Sequence, residues 1–460
     1  MAVIDKVFRA FDVRGIYGEE ITEDLAWKIG HASGQFLRSL LTGYERGQAS
    51  SNRLVVGRDM RPQSQMLTVA MIDGITSAGI GCADIGTVDT PMVYFAINHL
   101  SACGGIQVTA SHSPAECCGF KIAGARARPV VENTGLKEIK HIVSTLRRMP
   151  AGASLAAVQS LDLWGEYRRH VLKFLKVPRP LKVVVDASNG MGAKALPTVL
   201  EGTNVQVVPL HFDLAAGLVH PPDAPLEASL EALRSAVLQH GADAGICTDG
   251  DADRCVFIDE KGLLVRGDLM TALLARLFLR DNPGGTVVYD LRSSRATPEE
   301  IRAAGGIPRR ERVGHALMKK AMSDGHGILG GDLGGRFYFR DNYNCDSAVI
   351  ALASAATVLA ASDRPLSELV APLRRYAYTG EMLFPVSHAD AKLREIAEAL
   401  KDAQSDRLDG LTCQYDDWWI NLRTPRSEPV ILVTMEARNP ELLSEKLNLV
   451  KSILGEPWRN

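Results

Sequence analysis

Short apolar segments alternate along the chain with longer amphipathic segments. The apolar segments are rich in β-branched residues and are bounded by Gly, Pro or polar residues, which is typical of buried strands. They predict strands at 54–57, 105–109, 181–185, 205–208, 245–247 and 286–289. The amphipathic segments predict helices at 23–40, 64–78, 226–239, 269–279 and 316–322. Strands that alternate with helices in this way indicate parallel α/β units.

The C-terminal part of the chain has a different pattern. It contains a helix candidate at 389–400, polar strand candidates around 411–422 and 430–436, and a final helix candidate near 442–454. Because strands are grouped here rather than alternating with helices, we expect a small α+β domain at the end of the chain. The buried pattern of 347–361 predicts a helix of the protein core, since it is shorter than the roughly 20 apolar residues of a membrane span.

Charge and cysteine content exclude several classes of protein. The 460 residues contain 52 Lys and Arg against 54 Asp and Glu, so no basic field favours nucleic-acid binding. Residues 1–15 lack the apolar core of a signal peptide. The eight Cys lack CxxC spacing, which argues against a zinc site or a disulfide framework. We expect a cytoplasmic protein without a nucleic-acid or membrane partner.

Two loops that follow predicted strands carry candidate chemistry. The segment 109–114 places Ser111 between small residues and a Pro, which suits an exposed hydroxyl, although a plain polar turn has the same pattern. The segment 248–254 carries Asp249, Asp251 and Asp253, whose oxygens suit Mg²⁺ or Ca²⁺. A calcium loop of the EF-hand type needs Gly at its sixth position, where this chain has Arg254. A magnesium-plus-phosphate site is therefore predicted, with a solvated turn as the alternative.

Two further loops suggest binding of anionic groups. Residues 186–195 match G-x-G-x-x-A around Gly190, with Asp213 following the next predicted strand, which is the pattern of a dinucleotide site. Residues 423–429 hold Arg423, Arg426 and Ser427 together with two Pro residues, Pro425 and Pro429. Arg offers paired hydrogen bonds to phosphate, so this segment is a candidate anion site, with a surface turn as the alternative.

In combination these segments resemble the α-D-phosphohexomutase family, the phosphomannomutase and phosphoglucomutase enzymes. The resemblance runs in order over nearly the whole chain. It rests on the motifs at 8–15, 56–61, 109–114, 119–121, 249–254, 314–315, 330–335 and 423–429. The serine loop together with the Asp-Gly-Asp-Ala-Asp-Arg loop is specific as a pair, and a dehydrogenase would not require both.

The resemblance implies an α/β fold of four domains. Three similar α/β domains with mixed sheets are followed by a smaller α+β domain, and the active site lies in the central cleft. The domains are expected at 1–150 with the phosphoserine loop, at 151–255 with the metal loop, at 256–368 with the sugar loop, and at 369–460 with the phosphate loop.

The resemblance also implies roles for individual residues. Ser111 is the expected phosphoserine and holds one Mg²⁺ with the three Asp residues, while Arg14, Lys121 and His112 are the other expected catalytic residues, with Lys121 as general base. The expected substrate-binding residues are Arg254, His315, Asp332, Gly334, Arg336, Arg423, Arg426 and Ser427. The partner is a sugar phosphate, a hexose 1,6-bisphosphate is the activator, and the protein is a monomer or homodimer.

The sequence departs from the family in the segments that contact the sugar. The family usually has G-E-x-S-G-H where this chain has Gly331-Asp332-Leu333-Gly334-Gly335-Arg336. The carboxylate is shorter, the hydroxyl is lost, and Arg replaces His, which suggests a more anionic substrate or a differently placed phosphate. We therefore predict a mutase acting on mannose or glucose phosphates. The alternatives are a weakly active or inactive homologue that binds sugar phosphates and, more distantly, an NAD(P)-dependent dehydrogenase that uses the Gly190 turn.

Overall fold

The computed structural model describes residues 3–48, 50–111, 113–147, 156–219, 230–425 and 429–458. The predicted site residues His112, Arg426 and Ser427 lie outside these ranges. The chain forms two compact units. Unit 1 consists of Met1–Val265 and Gly334–Ser367, and unit 2 consists of Arg266–Leu333 and Glu368–Asn460.

The first part of unit 1 is a six-stranded mixed sheet with the strand order β1-β5-β4-β2-β3-β6. Its strands are β1 Val13–Ile16, β2 Arg53–Arg58, β3 Gly81–Thr87, β4 Gly104–Val108, β5 Cys117–Gly124 and β6 Val158–Ser160. Its α-helices are α1 Val3–Val7, α2 Glu23–Ser39, α3 Gly43–Gly47, α4 Pro62–Ser77, α5 Thr90–His99 and α6 Lys137–Thr145. Strand β2 is parallel to β3 and β4, whereas β5 is antiparallel to β1 and β4.

Helices α2 and α4 pack closely against each other because glycines lie where the two helices meet. A Cβ atom on Gly74 would lie 2.0 Å from the carbonyl oxygen of Trp27, and one on Gly30 would lie 2.3 Å from that of Met71. Neither distance is sterically possible, so these positions require Gly. The hydroxyl of Thr22 begins α2 by accepting a hydrogen bond from the N–H of Leu25.

The second part of unit 1 is a five-stranded mixed sheet with the order β11-β10-β9-β7-β8. Its strands are β7 Leu181–Asp186, β8 Val205–Leu210, β9 Ala244–Thr248, β10 Cys255–Asp259 and β11 Leu264–Val265. The helices of this part are α7 Trp164–Val171, α8 Gly192–Leu200 and α9 Glu231–His240. Strand β7 is parallel to β8 and β9, and β9 forms an antiparallel hairpin with β10.

The chain then enters unit 2 and later returns to unit 1. In unit 2 it forms α10 Gly267–Asp281, β12 Thr286–Asp290, α11 Ala296–Ala303, β13 Ile307–Glu311, α12 His315–Asp324 and β14 Gly327–Gly331. Strand β12 is parallel to β13 and to β14. Back in unit 1 the chain forms the antiparallel pair β15 Phe337–Phe339 and β16 Cys345–Asp346, followed by α13 Ala348–Ala360.

The last part of the chain is an antiparallel sheet with the order β17-β21-β20-β19-β18. After α14 Leu366–Val370 come β17 Ala377–Pro385, α15 Ala389–Ala399, β18 Gln404–Asp406, β19 Leu411–Gln414, β20 Trp418–Arg423, β21 Val430–Ala437 and α16 Pro440–Leu454. The short helices are the 3-10 helices Ala125–Ala127, Leu172–Phe174, Arg340–Asn342 and Ala371–Leu373 and the π-helix Glu132–Leu136.

The strands and helices predicted from the hydrophobic pattern are present, and outside the helix predicted at 226–239 their ends agree with the prediction to within two residues. Of the predicted helix 226–239, the structure describes the part from residue 230 onward. Helix α13 is buried along almost its entire length, as the 347–361 pattern predicts. Within the described residues no helix is long and apolar enough to cross a membrane. All eight cysteines lie in the described part of the chain, and none of them forms a disulfide.

Candidate active site

The serine loop follows β4 and holds Ser111 in an unusual backbone conformation. Ser111 has φ +49°, in the left-handed region that a residue with a Cβ seldom adopts. Its N–H donates to the hydroxyl of Thr109 at 2.8 Å, and the residue is almost fully buried. Such a conformation persists where the surrounding contacts enforce it and is common at functional sites.

The metal loop connects β9 to β10 and turns three carboxylates to one side. Asp249 donates its backbone N–H to the carbonyl of Arg254 at 3.2 Å, which closes the loop, and Ala252 takes a left-handed φ of +55°. The carboxylate oxygens of Asp249, Asp251 and Asp253 lie within 4.8 Å of one another.

The serine loop and the metal loop meet in unit 1. Ser111 Oγ donates to Asp251 Oδ1 at 2.6 Å, and it lies 3.4 Å from Asp249 Oδ2. Oxygen donors from carboxylates and a hydroxyl are the ligands that Mg²⁺ prefers. The donor set therefore fits a magnesium ion held by the three Asp residues and the oxygen of Ser111.

Lys121, on β5, brings a positive charge to the same carboxylates. Its Nζ lies 2.5 Å from Asp251 Oδ2 and 2.6 Å from Asp253 Oδ2. Burial alone would lower the pKa of Lys121, but the two carboxylates outweigh it and hold that pKa above its usual range. In this arrangement Lys121 is a charged ammonium group.

The three carboxylates have different environments. Burial raises the pKa of Asp249 to about 7, and the neighbouring Asp253 and Asp251 add to the rise. Burial also opposes ionisation of Asp253, but Arg336, Lys121 and Arg254 together hold its pKa well below the usual range. The group is thus a compact set of opposite charges from which water is largely excluded.

Arg254 and Arg336 bind the metal loop from either end. Arg254 Nε lies 3.0 Å from Asp249 Oδ2. Nη2 of Arg336 donates to both carboxylate oxygens of Asp253, at 3.1 and 3.3 Å. Nε of Arg336 donates to Asp346 Oδ2 at 3.1 Å. The predicted substrate residues Arg254 and Arg336 therefore both contact metal-loop carboxylates in this structure.

The backbone directly before Arg336 requires a glycine at position 335, where the family also has Gly. Gly335 has φ +88°, and a Cβ there would lie 2.4 Å from the carbonyl oxygen of Cys255. The N–H of Cys255 donates to the carbonyl of Gly335 at 2.9 Å. The segment is therefore attached to the strand that follows the metal loop, and this attachment places Arg336 beside Asp253.

Arg14 contacts the serine loop from β1. Its Nη1 donates to Ser113 Oγ at 2.8 Å, and its Nη2 forms an ion pair with Asp12 at 2.5 Å. Arg14 lies opposite Gly119 on β5, where a Cβ would lie 2.3 Å from the carbonyl oxygen of Val13. The close β1–β5 pairing thus positions Arg14 next to Ser113 of the serine loop.

The Gly190 turn packs against the metal loop. A Cβ on Gly190 would lie 2.7 Å from Gly250 Cα, and one on Gly192 would lie 2.4 Å from Thr248 Oγ1. The N–H of Met191 also donates to the carbonyl of Gly250 at 2.8 Å. These contacts explain why Gly is required at both positions, so the two glycines do not need a bound dinucleotide to account for them.

Three other predicted site residues belong to unit 2. His315 is the first residue of α12, and Asp332 is buried directly after β14. Arg423, at the end of β20, forms a close ion pair with Glu381 and lies 3.9 Å from Asp409. The guanidinium of Arg423, which is predicted to bind phosphate, is therefore paired with the carboxylate of Glu381 in this structure.

Thr90 supports the metal loop, although no sequence motif indicates this residue. Thr90, the first residue of α5, donates its hydroxyl to Asp251 Oδ2 and its backbone N–H to the carbonyl of Asp251 at 3.1 Å. The Asp-Thr-Pro sequence at 89–91 signals a helix start, but no local pattern connects it with a loop about 160 residues later. Arg61 belongs to the motif at 56–61, but the sequence alone does not indicate what its side chain does.

Comparisons with known proteins agree with this geometry. Family models described as phosphoglucomutase/phosphomannomutase alpha/beta/alpha domains I, II and III match residues 5–148, 166–262 and 266–376. A phosphomannomutase of Escherichia coli K12 is 34% identical over 98% of this chain and 99% of its own. Phosphohexose mutases of Xanthomonas campestris are 34% identical over 95% of this chain and 96% of their own.

A solved structure has the same fold over the full length. A phosphoglucomutase/phosphomannomutase family protein from Burkholderia thailandensis matches with a TM-score of 0.88 and 27% identity, covering 100% of this chain and 99% of its own. These relatives, together with the three family models, cover most of the sequence. The chain belongs to the phosphoglucomutase/phosphomannomutase family of α-D-phosphohexomutases.

Proposed function

We propose that this protein is a phosphohexomutase that interconverts the 1-phosphate and 6-phosphate of a hexose, mannose or glucose, through a phosphoserine at Ser111. One observation carries the proposal: Ser111 Oγ lies 2.6 Å from Asp251 and 3.4 Å from Asp249, inside a group of three carboxylates. A serine in a polar turn would not need such a group. A phosphoryl acceptor that works with a hard cation does.

Each half-reaction moves one phosphoryl group. In the first, the bond between phosphorus and Ser111 Oγ breaks while a bond to a sugar hydroxyl oxygen forms; a general base takes the hydroxyl proton, and Ser111 Oγ ends as a hydroxyl. In the second, the bond between the sugar oxygen and phosphorus of the other phosphate breaks, that phosphorus bonds to Ser111 Oγ, and the proton of the serine hydroxyl ends on the released sugar oxygen. The bisphosphate is thus both intermediate and activator, and it must turn over between the two steps.

The charged residues of unit 1 have separate tasks in this proposal. Mg²⁺ on the three Asp residues would supply positive charge at the transferring phosphoryl group. Arg14 reaches the serine loop and adds a second cation. Lys121 is held in its charged form by two carboxylates, so it acts as a general base only after it has left those contacts and lost a proton. The predicted role of His112 stays a prediction.

The residues of unit 2 are proposed to bind the rest of the substrate. Arg423, with Arg426 and Ser427, binds the phosphate that is not being transferred, and a guanidinium is well suited to that group. Asp332 and His315 contact the sugar, with Gly334 of unit 1. Because Glu381 pairs with Arg423 in this structure, substrate phosphate has to replace that carboxylate. A cytoplasmic location and a monomer or homodimer remain predictions.

The phosphoryl-transfer residues argue against an inactive binding protein. Ser111, Lys121 and the three Asp residues are all present and in contact with one another. Among the departures from the family, those that concern the sugar hydroxyls lie in the sugar loop, where Asp332 and Gly334 replace the usual Glu and Ser. We therefore expect an altered preference among hexoses rather than loss of the chemistry.

The test is ³¹P NMR of the purified protein with Mg²⁺ and a trace of glucose 1,6-bisphosphate. The 1-phosphates of mannose, glucose, glucosamine and N-acetylglucosamine are offered in turn. A growing 6-phosphate signal is expected with mannose or glucose, and it should disappear in Ser111→Ala. Ser33→Ala is the matched control, because Ser33 is a fully buried serine of α2. Absence of product from all four sugars would contradict the proposal.

A further inference from the structure

Arg61 is a buried arginine whose guanidinium is directed at the serine loop. It directly precedes α4 and is only 5% exposed. Its two terminal nitrogens donate to four backbone carbonyls of the serine loop and the start of β5: Ser111 at 3.2 Å, Ser113 at 2.7 Å, Pro114 at 2.7 Å and Cys117 at 3.2 Å. One side chain therefore donates hydrogen bonds to four backbone carbonyls along the loop that presents Ser111.

Asp59 fixes Arg61 in turn. Its Oδ2 lies 3.2 Å from Arg61 Nε, and its Oδ1 accepts hydrogen bonds from the N–H of Arg61 at 3.1 Å and the hydroxyl of Ser64 at 2.6 Å. Asp59 also has a hydrogen bond with the side chain of Thr109, whose hydroxyl accepts the N–H of Ser111. Asp59 is thus connected to Ser111 in two ways, through the side chain of Arg61 and through the side chain of Thr109.

This arrangement explains how the loop keeps an unfavourable conformation. Ser111 has φ +49°, and a residue with a Cβ keeps such a backbone only when its neighbours over-determine it. A guanidinium is planar and carries donors in a fixed fork, so it can hold several carbonyls in one geometry. A lysine, with one rotatable ammonium group, cannot reproduce this set of contacts.

We propose that Arg61 is a positioning residue for phosphoryl transfer, which holds the serine loop so that Ser111 Oγ stays aimed at Asp251. The proposal rests on the proposed mutase function. It assigns a role in the reaction to Arg61 of the 56–61 motif, whose guanidinium contacts four backbone carbonyls and Asp59 and is not expected to contact the sugar. The loss of Arg61 should therefore slow the transfer steps and leave sugar-phosphate binding nearly unchanged.

The experiment compares Arg61→Met, Arg61→Lys and the parent enzyme. Methionine keeps the apolar stem but removes every donor. We expect kcat of Arg61→Met to fall about 10- to 100-fold, because small misplacements of reacting atoms cost rates of this order. KM for the hexose 1-phosphate should stay within about twofold of the parent value, because the substitution removes no contact with the bound substrate. Arg61→Lys should also be slow, because charge alone does not hold the loop.

A second readout separates positioning from general stability. In an Arg61→Ala enzyme, millimolar guanidinium should restore part of kcat by re-occupying the four carbonyls. The matched control is Arg179→Met, since Arg179 also donates to two backbone carbonyls of unit 1, those of Leu359 and Ser362 at 2.8 and 3.0 Å. That variant should keep the parent kcat even if its melting temperature falls.

The outcomes are distinguishable. Folded Arg61→Met or Arg61→Lys with the parent kcat overturns the positioning role, and so does failure of both variants to fold, which would assign Arg61 to stability alone. A large rise in KM with unchanged kcat also overturns it, since that would place Arg61 in substrate binding. A parent enzyme without mutase activity refutes the proposed function itself.

Discussion

Replacing Thr90 with valine removes one hydroxyl and keeps the shape of the side chain. In the structure that hydroxyl donates to Asp251 Oδ2, and both residues are fully buried. Asp251 Oδ2 retains the ammonium of Lys121, and Asp251 Oδ1 retains the hydroxyl of Ser111. The change therefore withdraws one of the contacts that orient the central carboxylate of the metal loop.

The structure sets the size of the effect. A hydrogen bond to a charged group contributes about 1.5–3 kcal/mol, and no water is available at a fully buried carboxylate to replace it. The free energy of unfolding of unit 1 should fall by that amount. Removing a residue that orients a metal ligand typically costs about 10- to 100-fold in metal affinity, so we expect a loss of this order for Thr90→Val.

The assay is direct binding of Mn²⁺, followed by electron paramagnetic resonance, with urea unfolding on the same preparations. Thr90→Ser should restore most of the affinity because it restores the hydroxyl. Thr68→Val is the matched control, since the buried Thr68 donates only to a helix carbonyl, that of Ser64. It should lose about 1 kcal/mol of stability and no Mn²⁺ affinity.

Unchanged Mn²⁺ affinity in folded Thr90→Val would refute the reasoning. So would an equal loss in Thr68→Val, because the effect would then follow stability rather than the contact with Asp251. A Thr90→Ser variant as weak as Thr90→Val would show that the hydroxyl is not the relevant group.

Three further changes test other parts of the account. Gly192→Ala should destabilise unit 1 by about 1–3 kcal/mol, because its Cβ would lie 2.4 Å from Thr248 Oγ1; urea unfolding measures this. Glu300→Gln should reduce stability near neutral pH and leave it unchanged at low pH, because two arginines outweigh burial and hold the pKa of Glu300 below its ordinary 4.5. Arg336→Met should destabilise the protein by about 3 kcal/mol, since Asp253 loses a buried partner.

A specific result would contradict each of these three predictions. Gly47→Ala, at a position with open space around it, should be harmless, and an equal cost there would remove the argument from close contact. The stability from Glu300 is present above its unfolded pKa and is lost as pH falls through the folded one, so a Glu300→Gln deficit that grows toward pH 3 has the wrong sign. Unaltered stability but higher KM in Arg336→Met would favour the predicted contact with substrate.

The sequence was sufficient for the regular elements of the fold. Periodicity identified the central strands and the long helices because these are buried on one or both faces. It missed β1 and β5, which carry Arg14 and Lys121; β5 is antiparallel to both of its neighbours, β1 and β4. Each of these two strands has a charged residue of the site in its interior, and that residue interrupts the apolar pattern.

For the candidate site, the sequence identified residues but not their contacts. The motifs named Ser111 and the Asp residues, and the structure brings them together. The sequence could not show that Arg336 contacts Asp253, or that Thr90 supports Asp251 from a helix start. Such contacts depend on the packing of distant segments, and no local pattern encodes them.

The most direct test of the central claim is transfer of ³²P from labelled glucose 1,6-bisphosphate to the protein, located by peptide mapping. The account predicts label on the peptide that contains Ser111, formed with Mg²⁺ present and absent from Ser111→Ala. It also predicts that adding unlabelled hexose 1-phosphate removes the label from the protein. Label on another residue, or label that persists in Ser111→Ala, would contradict the account.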